Sequence, residues 1–380
     1  MKILQLAWEN FGTADIKEAF EKCGHQSVLL KTSQEELLTT AISEGLEEAI
    51  KLNNPDVVFG FNYFPNVAET CKNAGIDYFA WVYDNPCVQL YSCTVIYPTN
   101  HIFVFDSDTY LKFNNQGIKN IYYLPMAANP ERIYCGSPSA YKYDISFVGS
   151  MYNEKHNFYS RMMEKGIDKY TEGYLRGIME AQKLIYGESI VEKQLNDDIL
   201  QRMYQVLPLE GESDSVITRQ TLFGEYVINR QITAEERLDM ISTLGSQIGN
   251  IALFTPDPKL KIAGVNNYGP IDFYEGAPGV FANSKINLNI SLRSIINGIP
   301  LRCFEIMGSG GFLLSDYAGD FNMFFEAGED YVYFDSKKDL IEKAKYYLAH
   351  DDERKAIADN AVNKIMQGHT YVHRVEEMFG

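Results

Sequence analysis

The sequence predicts an α/β protein made of two successive doubly wound parallel-sheet domains, with a mainly helical insertion in the second. Three observations carry this. Short apolar strands alternate with amphipathic helices from the first residue to about position 124. A stretch with three prolines and little periodicity, 125–143, then interrupts the rhythm. The same strand–helix alternation resumes near 144 and again near 251. Strands separated by helices in this way imply parallel pairing. A chain of 380 residues is also long for one core and suits two domains.

In order, Lys2–Ala7 is apolar enough for a buried strand, and the loop 8–13 enters a helix at 14–22. Gly24 and His25 turn into a strand at 27–30, followed by one helix over 35–51. Pro55 precedes a strand at 56–60, then come a helix at 67–73, Gly75 and a strand at 78–83. A strand at 101–105 leads to a helix at 109–115, which Asp108 is placed to cap. Gly117 and a strand at 121–124 complete the first cycle. The second cycle opens with a strand at 144–149 and is interrupted by the helical stretch 157–246. Strands at 251–255 and 286–290 restore the pattern, and a helical region runs from 338 to the end. The expected domains are therefore 1–135, 136–360 with the insertion, and a closing helix at 361–380.

Composition narrows the function. The chain is 46% hydrophobic and 22% charged, with a net charge of -17 and a pI near 4.8. An acidic balance of this size argues against a nucleic-acid partner and gives no support to docking on anionic lipid. An anionic substrate would need a local basic pocket. Six cysteines are scattered without metal-type spacing, and Cys23, Cys71 and Cys303, which sit in helical patterns, are expected to be small buried hydrophobes. The opening residues read as a first strand and not as a secretory segment. No run of about 18 apolar residues predicts a membrane span. The expectation is a soluble, reduced, cytoplasmic protein.

The segment 284–317 is the most informative. An alternating strand (Ile286, Leu288, Ile290) leads to Gly298-Ile299-Pro300, then to a short helix carrying Arg302 and Glu305. Gly308-Ser309-Gly310-Gly311 breaks the helix before a second apolar strand. Proline suits a helix start, and the free N–H groups there favour an anion. Arg302 and Glu305 are three apart and share a helix face. An arginine can neutralise a phosphate, and a carboxylate can accept from two neighbouring sugar hydroxyls. That pair fits a nucleoside diphosphate with its ribose. The plain alternative is a crossover helix whose charged pair is solvated.

Several stretches carry a family resemblance. GIPLRCFEIMGSGGFLLSDY resembles the Arg-x-Phe-Glu signature of GT-B glycosyltransferases, specifically the CgeB-like bacterial group. SKINLNIS fits the strand before it, and HTYVHRVEEMF looks like the family's closing helix. FAWVYDNP, HIFVFDSDTYLKF, GIKNIYYLPMAANPERI and DISFVGSMYNEK are similar to that group's N-terminal domain, whose function is undescribed, and to the entry into its C-terminal domain. The resemblance implies two Rossmann-like domains facing a cleft, a nucleotide-sugar donor on the C-terminal one and an acceptor approached from the N-terminal one. It implies Glu305 on the ribose and Arg302 near the diphosphate. Related retaining enzymes carry two glutamates separated by seven residues, and here the first position is Asn297.

Further candidates follow from strand ends, where ligands of such sheets bind. Gly149 and Ser150, with Lys155 nearby, form a turn that could approach phosphate or simply be tight. Gly12-Thr13 holds the equivalent place in the first domain. Asp84 ends a buried strand and could take a proton from an acceptor hydroxyl, or form an Asx turn before Pro86. Asp106 and Asp108 are similar, with capping as their alternative. Arg293 lies beyond strand 286–290, placed for a diphosphate or for solvent. Tyr274 and Glu275 fall where this fold class contacts the nucleotide base. His101 and His25 read as structural. Asp106-Ser107-Asp108 has a metal-binding spelling but starts a helix in the acceptor-side domain, so no metal and no cofactor is expected beyond the donor substrate. The function expected is metal-independent transfer of a hexose to a hydroxyl of a glycan, protein or small molecule. A nucleotide-sugar epimerase, or a silent carbohydrate-binding or assembly protein, are the alternatives.

Overall fold

Apolar strands that must bury both faces set the architecture, seen here in a computed structural model that describes residues 1–8, 10–136, 138–153, 157–211 and 213–380. The chain separates into two compact units. The first comprises Met1–Ala127, Gly211–Ile217 and His369–Gly380, and the second Ala128–Glu210 and Thr218–Gly368.

The first unit holds six parallel strands: β1 (Lys2–Ala7), β2 (Gln26–Lys31), β3 (Val57–Phe61), β4 (Asp77–Val82), β5 (Asn100–Val104) and β6 (Ile121–Tyr123). Their order is β2-β1-β3-β4-β5-β6. β3 is buried throughout, as a central strand covered on both faces must be. The single helix expected at 35–51 is two, Gln34–Leu37 and Ala41–Asn53. Ser33 and Glu36 form a capping box on the first. Its end follows from Thr39, whose hydroxyl bonds the Glu35 and Glu36 carbonyls and competes with the helical ladder. Asp106, not Asp108, caps the helix Ser107–Asn115, accepting from the Asp108 N–H at 3.0 Å. Two distant pieces of chain complete this unit. Ser215 bridges Ser92, with the Asp214 carbonyl accepting from Cys93 and the Tyr91 carbonyl from Val216. Arg374 of the last helix, Tyr371–Phe379, donates to the carbonyls of Pro125 and Met126.

The second unit holds β7 (Tyr143–Val148), β8 (Ile251–Phe254), β9 (Val265–Asn267), β10 (Ser284–Asn289), β11 (Leu313–Asp316) and β12 (Val332–Phe334). The order is β12-β11-β10-β7-β8-β9, again all parallel. β9 and β12, edge strands of three residues each, are additional to the strands expected from the sequence. The short helices Pro130–Ile133 and Ala277–Ala282 are additional as well. The stretch 157–246 is mainly helical as expected, with non-helical connections among the described residues at 183–190, 207–211 and 213–218. Its own core includes Leu175, Met179, Ile199, Met203, Phe223 and Ile232. A π-helical turn, Phe223–Asn229, runs into the helix Arg230–Gln247.

Candidate functional site

In an open parallel sheet the ligand crevice opens at the carboxyl ends of the strands where the order reverses. In the second unit that place lies between β7 and β10, the first strand and its neighbour on the returning side. Two of the expected residues, Gly149 and Arg302, meet there. Gly149 directly follows β7, and a Cβ built on it would stand 2.6 Å from Nη2 of Arg302. Only glycine lets the two approach. Arg302 lies in the first turn of the helix Leu301–Gly308, two residues after Pro300, which takes the N-cap position. It donates to Oδ1 of Asn289 at the end of β10, 3.1 Å away, and its guanidinium carbon lies 5.5 Å from the Phe147 ring centre. Among the described residues no carboxylate lies within ion-pair distance of it. Burial first, and the nearby charge of Arg237 second, bring its proton affinity down to about 10. A half-buried cation held by a neutral amide beside a second cation is a place where an anion is stabilised.

The floor of this crevice is polar and ordered. Asp316, at the end of β11, accepts from the Ser291 N–H and hydroxyl, both at 2.9 Å, and from Asn289 at 3.3 Å. Burial raises its carboxyl, while Arg293 and the Ser291 bonds oppose the rise. Ser150 turns its hydroxyl inward to accept from Tyr152 at 2.9 Å, and its carbonyl accepts from Arg237 at 2.6 Å. Lys155 lies outside the described residues.

Glu305 sits on the same helix as Arg302, buried, with Arg132 3.6 Å from its Oε2. Arg132 also donates to the Tyr274 carbonyl at 3.4 Å and stacks over the Tyr274 ring at 4.7 Å. Thus Glu305, Arg132 and Tyr274 form one group. Arg132 was not singled out from sequence because it falls in the stretch read as linker. Glu275 is exposed, its N–H bonded to Asp272.

Arg293 is engaged by protein groups. Its guanidinium forks onto Glu236, with 2.6 and 2.5 Å bonds, donates to the carbonyls of Ile185 and Lys183, and lies 4.0 Å over Tyr186. It is a buried tie between the insertion and the loop after β10. Asn297 packs its amide oxygen against Gly319 and Gly187, and a Cβ on Gly319 would come within 2.6 Å of it.

In the first unit the order reverses between β1 and β3. Gly12, with φ 85°, precedes the helix Thr13–Lys22, and a Cβ there would meet Phe61 and Tyr371, each at 2.9 Å. Glycine at this position therefore has a packing reason. Thr13 bonds Asn10 at 2.6 Å. Asp84 follows β4 and accepts from Asn62 at 2.7 Å. Surrounding protein raises its carboxyl and the Asn62 bond opposes this; solvent at its exposed edge tempers the shift. Asp106 is buried, accepts from Asn85 at 3.2 Å and is spent on its cap. His101 stacks on Phe79 at 4.4 Å, and His25 packs on Phe379 at 5.7 Å. Among the described residues no group of three or more His, Cys, Asp or Glu could hold a metal ion, and no helix is long and apolar enough to cross a membrane.

No curated protein matches the chain. Solved structures share its fold. A sucrose-phosphate synthase from Thermosynechococcus elongatus matches with a TM-score of 0.59 at 9% identity, covering 100% of this chain and 97% of that one. Anabaena HepE in complex with UDP-glucose matches at 0.53 and 10% identity, covering 100% and 98%. A glycosyltransferase from Rickettsia africae matches at 0.52 and 10%, covering 99% and 96%. Identity this low speaks to fold, which is the GT-B arrangement of two α/β domains. Residues 239–380, which include Asn289, Arg302, Glu305 and Asp316, match the model of the glycosyl transferase-like family.

Proposed function

We propose that the protein transfers a sugar, a hexose by likeness to the CgeB-like group, from a nucleoside-diphosphate sugar to an acceptor hydroxyl, without a metal ion. The observation that carries this reading is Arg302, half-buried between Gly149 and Asn289 at the β7/β10 crevice with a neutral partner. Glu305, one turn along the same helix, takes the ribose hydroxyls, and Arg132 and Tyr274 border it. The HepE structure with UDP-glucose supports a donor of this class on this fold.

In the reaction the acceptor oxygen bonds to the anomeric carbon as the bond from that carbon to the β-phosphate oxygen breaks. The acceptor proton passes to the Asp84 carboxylate. Charge accumulates on the departing diphosphate, where Arg302 and the free N–H groups at the start of Leu301–Gly308 offset it. Fixed donors in a partly desolvated site contribute more than the same groups in water. The acceptor is a hydroxyl of a glycan, protein or small molecule.

A thermal-shift panel of UDP-, GDP-, dTDP- and CDP-sugars tests the reading, because a ligand of the native state raises the melting midpoint. One nucleotide class should raise it, with slow release of nucleotide on incubation. A flat panel would overturn the donor assignment. Binding without turnover across many acceptors would favour a silent carbohydrate-binding protein.

A further inference from the structure

The helical insertion sends one side chain into the donor crevice. Arg237, on the helix Arg230–Gln247, is 3% exposed. Its Nη1 donates to the Ser150 carbonyl at 2.6 Å, and its Nε to the Ile290 carbonyl at 3.0 Å, with Nη2 reaching Ile290 as well. Ser150 lies just beyond β7 and Ile290 just beyond β10. Arg237 therefore ties together the two strand ends between which the sheet reverses direction. Its guanidinium carbon lies 5.3 Å from the Phe147 ring centre, the same ring that Arg302 covers at 5.5 Å. It also lies 4.8 Å over Tyr152, a non-glycine residue held at φ 52°. A left-handed turn at tyrosine is unfavourable alone and persists where surroundings over-determine it.

We infer that Arg237 is the positioning residue of the diphosphate site, holding the Gly149–Tyr152 turn and supplying a second positive charge beside Arg302. This rests on the donor reading given above. Two consequences of the geometry support it. The carbonyls that Arg237 binds are at strand ends, where the ladder no longer supplies partners, so the guanidinium fixes the direction of both peptide groups. The two arginines also repel each other across a shared ring, a repulsion that adds to burial in lowering the proton affinity of Arg302. A bound diphosphate relieves that repulsion, so affinity is drawn from both cations. The insertion is then part of the donor site through this one residue.

The test is calorimetry of the full chain with UDP, GDP, dTDP and CDP, and with the matching nucleosides. In Arg237→Met, diphosphate affinity should fall about tenfold while nucleoside affinity stays within about twofold, the loss expected for a charge-assisted contact. Equal loss for diphosphate and nucleoside would mark a general distortion and overturn the positioning role, as would unchanged affinity for both. If Arg237→Met does not fold, Arg237→Lys decides, since it keeps the charge but cannot span two carbonyls. A selective loss of about threefold for the diphosphate is then expected, and no loss overturns it. Failure of the wild-type chain to bind any of the four diphosphates would sink the donor reading itself, a result distinct from an unaffected variant.

Discussion

Asn62 and Asp84 are locked to each other across two strand ends. The Asn62 amide nitrogen donates to Asp84 at 2.7 Å, and its amide oxygen accepts the backbone N–H groups of Tyr83 and Asp84 at 3.1 and 3.2 Å. Asn62 does this from φ 61°, with its own carbonyl taken by the Tyr78 hydroxyl. Both polar atoms of the Asn62 side chain thus fix the residue proposed as base.

The first prediction follows from that lock. Asp84 must be ionised to accept a proton, so turnover falls as pH drops through its midpoint. Surrounding protein raises that midpoint and Asn62 lowers it. Asn62→Gly suits the left-handed backbone and removes only the amide. The acid limb of the turnover profile should move to higher pH, with donor affinity and melting midpoint nearly unchanged. An unmoved limb would remove Asn62 from the mechanism, and normal turnover in Asp84→Asn would remove the base.

Glu305→Gln should weaken donor binding by about tenfold or more, since a carboxylate accepts sugar hydroxyls more strongly than an amide. Nucleoside affinity should fall in parallel because the contact is to ribose. Calorimetry that finds the variant equal to wild type would contradict the ribose role.

Arg302→Met should lower affinity for a nucleoside diphosphate by about tenfold or more, while leaving the nucleoside nearly unaffected. Gly149→Ala should show the same selectivity, because its methyl would displace Nη2 of Arg302. Equal losses for both ligands would point to collapse of the turn.

Arg293→Leu should lower the unfolding free energy by about 3 kcal/mol, since it strands the buried Glu236 carboxylate. Donor affinity, measured below the melting transition, should stay within about twofold. A selective loss of diphosphate binding without destabilisation would restore the role that its position in the sequence first suggested.

Arg293 shows where sequence stops being sufficient. A cation just beyond a strand end looks the same in sequence whether it meets a phosphate or a carboxylate from a distant helix. Its partner Glu236 is 57 residues away on the insertion, and no local pattern announces that pairing. Arg237 was invisible for the same reason. The helix that carries it is not strongly amphipathic by sequence, and its carbonyl partners are backbone. By contrast, Pro300, Arg302 and Glu305 were legible because helix start and face are set by neighbours three or four residues away. The long strands were legible from their apolar runs, whereas β9 carries two asparagines in its three residues and offers no such run.

The segment Gly211–Ile217 and the closing helix each belong to the first unit although the chain has already entered the second. Neither unit is therefore a contiguous stretch that could be excised, duplicated or shuffled as a cassette. A fragment ending at Ala127 would lack the strip that pairs with Tyr91–Cys93 and the arginine that closes over Pro125 and Met126. Co-expressed halves would have to exchange those pieces to fold.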